Sequence, residues 1–127
     1  MSDELRPQDV AAERQILCAV MNDAYVYEEI SYLTPDDFYD TAHSWVWEAI
    51  QSIAEDTPIG EQTFNFQVVQ RKLEANGRKI KGGWLLFLTK IATEEWVPFA
   101  DLVAKENARA IAEMATRRRL LDSCSTI

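Results

Sequence analysis

At 127 residues the chain has room for one domain with a real hydrophobic core, and little for a second. Its composition is 47% hydrophobic and 27% charged, with four glycines and four prolines, which excludes disordered, collagen-like and disulfide-built classes. The net charge of −8 is uneven: residues 1–66 carry 14 acids against two bases (−12), and residues 67–127 carry seven against eleven (+4), so tight autonomous binding of duplex DNA is excluded and weak or no direct DNA binding is expected.

Asp9 is predicted to cap a first helix running to about Met21, with Ile16, Leu17, Val20 and Met21 on one face. A second segment, residues 24–33, groups Val26, Tyr27, Ile30 and Leu33. Thr34-Pro35-Asp36-Asp37 follows, a capping residue, a first-position proline and first-turn acids, so a short helical turn carries Phe38 and Tyr39 inward. Thr41 opens the most strongly patterned helix, where Trp45, Val46, Ala49, Ile50 and Ile53 read as the core face. Residues 57–60 form a joint. Asn65 caps a helix over 66–76 that buries Phe66, Val69 and Leu73, and Asn76-Gly77 stops it in the left-handed conformation. Arg78 to Lys81 is a basic linker, and Gly82-Gly83 precede Trp84, Leu85, Leu88 and Ile91.

A last helix is predicted from near Pro98 past Arg119. It is apolar early, at Phe99, Leu102 and Val103, and later keeps only Ile111 and Met114 among alanines and charges. Such a segment reads as leaving the core in need of a partner helix or another subunit, so the chain looks cut or built to associate. No alternating strand and no repeat appear. The fold class is all-α, a compact multi-helix bundle with an arm at 1–8, a head at 9–115, and a long C-terminal helix whose residues 116–127 start a truncated hairpin.

Catalytic, cofactor-binding and metal residues are not expected. Asp36, Asp37 and Asp40 serve as caps more readily than as an acid–base pair. His43, the single histidine, reads as a first-turn surface residue with no triad partner, and it excludes a multi-histidine metal site. Cys18 reads as a small core residue, and with Cys124 it forms no CxxC, which points to a reducing cytoplasm. Gly82-Gly83 lack the lysine and strand of a P-loop. No apolar run reaches the roughly 18–20 residues that span a bilayer, so a soluble cytoplasmic domain with no membrane partner is expected. Trp45 and Trp84 fall on core faces, whereas Trp47 and Trp96 do not. Together with Ile111, Met114, Leu120 and Leu121, which need cover, and Arg117, Arg118 and Arg119, which read as a solvated helix end, Trp47 and Trp96 form the candidate protein-interaction set.

The ordered series Arg6-Pro7-Gln8, Ala12-Glu13, Ile16-Leu17 and Met21 resembles the opening of the N-terminal domain of DnaB-type replicative DNA helicases. The similarity continues through Leu33-Thr34-Pro35-Asp36-Asp37-Phe38-Tyr39, His43, Trp47 and Ile50. It extends through Pro58-Ile59, Leu73, Gly77, Gly82-Gly83 and Leu88, then Phe99-Ala100, Val103 and Arg109, over roughly residues 6–115. Cys18 stands where the family has glycine, Gly60 where aspartate is usual, and Phe99 where tyrosine is common. The resemblance implies an all-helical head that pairs with itself as a dimer or higher oligomer and builds a collar on a hexameric ring. It also implies support for contacts with primase or a helicase loader. ATP and Mg belong, on that resemblance, to a separate motor domain of the parent helicase, and no family catalytic residue carries over. A stand-alone adaptor that binds a helicase, as a loader or inhibitor would, is the alternative. A small hydrolase built on Asp36, Asp37 and His43 is the remote third.

Overall fold

The computed structural model describes residues 6–58 and 60–125; Ile59 of the Pro58-Ile59 pair, residues 1–5 of the arm and residues 126–127 of the tail lie outside them. Among the described residues six α-helices follow in order: α1 (Val10–Asn22), α2 (Tyr25–Ile30), α3 (Thr41–Asp56), α4 (Phe66–Ala75), α5 (Trp84–Glu94) and α6 (Ala100–Ser125). A 3-10 turn at Pro35–Asp37 lies between α2 and α3, and the described residues contain no strand. None of these helices is long and apolar enough to cross a membrane.

The boundaries follow local chemistry. Asp9, Asp40 and Asn65 each accept a hydrogen bond from the backbone N–H three residues on, at 3.0, 3.1 and 3.0 Å, and so start α1, α3 and α4. Asp37 accepts from the Thr34 N–H at 2.9 Å and closes the turn predicted at residues 34–37. Gly77 ends α4 with φ +75°, while the Arg78 N–H reaches back to the Leu73 carbonyl.

Helix α1 is the centre of the molecule. Its residues 16–21 are all buried, as are Ala12 and Glu13, because α6, α5, α3 and α2 pack around it. Helix α6 does not leave the core, contrary to the sequence reading. Ala104, Ala108, Ile111, Ala115 and Arg118 form a buried stripe at 4-3-4-3 spacing, and α1–α6 is the principal packing pair. The alanines, read from sequence as helix formers, are the contact itself: their small side chains let the two axes come close. The entry to α6 corrects the reading in the other direction, since Phe99, just before the helix, and Leu102 in its first turn are exposed.

The tryptophans are also redistributed. Trp47 is fully buried and donates its indole N–H to the Leu33 carbonyl at 2.8 Å, with ring centroids 5.5 Å from both Tyr27 and Phe38. It is a core residue and not a contact candidate. Trp45 is only half-buried, edge-on to Trp84 and beneath the Arg78 guanidinium, 4.8 Å from its ring centroid. The segment 33–38 folds across α3 and covers the side that the helical pattern alone left open.

Candidate protein-interaction surfaces

A polar lock joins the ends of the chain. The Glu13 carboxylate, buried in α1, accepts the Tyr39 and Asp40 N–H groups at 2.8 and 3.3 Å and sits 2.9 Å from His43 Nδ1. His43 is therefore a core residue, not a surface one, and the α1 carboxylate explains its burial. Arg118 is buried as well, donating to the carbonyls of Pro7 and Asp37 at 2.7 and 2.9 Å, with its guanidinium 5.4 Å from the Tyr39 ring centroid. Burial pulls Arg118 below the usual arginine range, and the Glu13 charge works against that shift. Arg119 pairs with Asp37 at 2.7 Å.

Only Arg118 is taken inside; Arg117 and Arg119 stay exposed at the helix end, Arg119 on Asp37 and Arg117 on Glu113 one turn back. Asp37 and His43 engage separate partners and do not converge with the exposed Asp36 on a reactive centre. Among the described residues no buried side-chain nitrogen or oxygen lacks a partner, and no group of acids, histidines and cysteines could hold a metal ion.

The remaining predicted contact residues divide clearly. Ile111 is covered by its own chain and needs no partner, and Met114 is half-buried. Leu120 and Leu121 are exposed, and with Pro7, Arg117 and Cys124 they line an apolar strip at the outer end of α6. Trp96 is exposed at the opposite end of the same helix, where Phe99 joins it. Phe99 escaped the sequence reading because the apolar stripe of α6 was extended back through it. Its place beside Pro98, at the helix start, was the available signal. Tyr25, Leu85 and Leu86 are further exposed apolar side chains; Leu85 turns away from the core that Trp84, Leu88 and Ile91 enter.

The comparisons with known proteins agree with this architecture. The sequence profile of the DnaB-like helicase N terminal domain matches residues 5–113. The replicative DNA helicase DnaB of Geobacillus stearothermophilus is 30% identical over 127 residues, covering 99% of this chain and 26% of that protein. The chain therefore spans about a quarter of the length of the curated relative it matches. The crystal structure of the N-terminal domain of DnaB helicase from Mycobacterium tuberculosis superimposes with a TM-score of 0.81 at 28% identity, over 94% of this chain and 81% of that one. With the profile covering most of its length and the helical fold shared, this chain belongs to the DnaB-like helicase N-terminal domain family.

Proposed function

We propose that this head acts in DNA replication as the assembly module of a replicative helicase, joining subunits in a collar and supporting contacts with primase or a helicase loader. The observation that carries the reading is the family assignment on a head whose polar groups are engaged in structure while Leu120, Leu121 and Trp96 face solvent. ATP, Mg and unwinding belong to a motor domain of the parent helicase, and the head works in the cytoplasm without a cofactor. Self-association uses the outer end of α6, where a two-fold partner covers the Leu120–Leu121 strip with its own. The head proper spans residues 9–115, with Pro7 and Arg118 packed against each other at its two boundaries, and residues 116–127 lead on toward the hairpin of the assembled collar.

Sedimentation velocity across a wide concentration range tests the reading. Dimers or higher oligomers are expected at high micromolar concentration, and Leu120→Glu with Leu121→Glu should return the chain to monomer without lowering Tm. A strictly monomeric parent chain would refute the assembly role.

A further inference from the structure

The cleft where α1 ends and α2 and α6 begin has a volume of about 360 Å³ and mixes two chemistries. Val26, Trp96 and Phe99 supply apolar walls, and Asp23 and Asp101 supply carboxylates. Trp96 and Phe99 are 61% and 77% exposed, so neither ring gains much from folding. Phe99 also holds φ +56°, a left-handed backbone that is strained for a bulky residue. Two large aromatics held outward at one cleft form a surface of the kind that anchors a binding partner.

Charge decides which partner. Asp23 accepts the Tyr25 N–H at 3.0 Å, and among the described residues neither Asp23 nor Asp101 has an ion-pair partner. Two acids of the adjoining segments are paired, Glu95 with Arg14 and Glu29 with Lys105, so the cations of that region are already taken. The α1 C-terminus and the α6 N-terminus bring opposite partial charges to the cleft, so the two full negative charges set its sign. Aromatic faces beside carboxylates suit a cation carried on an alkyl stem.

We propose that this cleft binds a lysine or arginine side chain presented by a partner protein, with its stem against Trp96 and Phe99 and its cation held by Asp23 and Asp101. The site lies about 28 Å along α6 from Leu120, at 1.5 Å per residue, so it stands or falls separately from self-association.

The test is NMR titration of the ¹⁵N-labelled chain with a short amphipathic leucine–lysine peptide, and with its leucine–glutamate counterpart as control. The lysine peptide should shift the Trp96 indole signal and the Asp23 and Asp101 amides saturably, and the glutamate peptide should not. Asp23→Asn with Asp101→Asn should weaken binding about tenfold, whereas Glu28→Gln with Glu55→Gln, the same charge change elsewhere, should alter it less than about twofold. Equal losses in the two double variants would reduce the effect to general attraction and overturn the proposal. So would an unmoved Trp96 indole, or the same shifts produced by raising protein concentration alone, which would make a second copy the occupant.

Discussion

Replacing Trp47 by alanine tests the core most directly, because the structure and the helical pattern disagree about it. The side chain is fully buried, its rings pack on Tyr27 and Phe38, and its N–H bonds to Leu33. Truncating such a residue costs about 3–5 kcal/mol through lost transfer energy and the cavity left behind. With a urea slope of about 2 kcal/mol/M, the midpoint should fall by about 1.5–2.5 M. Against a total stability of about 5–15 kcal/mol this is a large share. The orphaned hydrogen bond adds little, because Gln51 Nε2 also donates to the Leu33 carbonyl, at 2.8 Å. Trp45→Ala removes a half-buried ring, an edge contact with Trp84 and a cation contact with Arg78, so its loss should be about half as large. Unfolding is best followed by circular dichroism, since both variants remove a fluorophore. A Trp45→Ala loss equal to or greater than that of Trp47→Ala would refute the placement of the two rings.

Arg118→Ala should cost about 1.5–3 kcal/mol in urea unfolding, because two charge-assisted bonds to backbone carbonyls vanish, whereas Arg117→Ala should change the midpoint little. Burial pushes the Cys18 thiol up, against the Asn22 hydrogen bond, so at neutral pH it stays protonated. A thiol reagent should then modify only exposed Cys124 in the native chain and both cysteines in denaturant, and rapid native labelling of Cys18 would contradict the packing of α1. Duplex DNA should bind weakly, with a shallow log–log salt slope of about 1–3 in magnitude, since Arg118 and Arg119 are already engaged; fluorescence anisotropy at two salt concentrations measures it.

What could be read from the sequence was what is decided within one or two helical turns. Asp9, Asp40, Asn65 and Gly77 act on backbone groups a few residues away, so the starts of α1, α3 and α4 and the stop of α4 followed from spacing, whereas α2 is shorter than the expected 24–33. The family resemblance carried the fold further than composition could, and the profile match supports it. Features set by distant partners were not legible. His43 is buried because Glu13, thirty residues earlier, faces it, and Arg118 is buried because the carbonyls of Pro7 and Asp37 converge on it. The alanine stripe of α6 was missed for another reason: hydrophobic periodicity weights large side chains, whereas close helix packing favours small ones. Of the candidate contact residues, Trp96, Leu120 and Leu121 are exposed, while Trp47, Ile111 and Arg118 were assigned outward and face inward.

The position of α1 at the centre of the bundle also bears on how the chain comes off the ribosome. This helix is synthesised before the other five, yet its principal cover, Ala104 to Ala115 of α6, is made about ninety residues later. At about 5–20 residues per second the nascent helix waits roughly 5–20 s for that cover. During this interval the apolar run 16–21 has only α2, α3 and α5 to shelter it, as each emerges in turn. Pairing of such sequence-distant segments raises contact order and slows the final docking step. A nascent chain halted before α6 therefore leaves the most deeply buried helix of the head without its main cover, and it is at that stage of synthesis that holding chaperones have the most to bind.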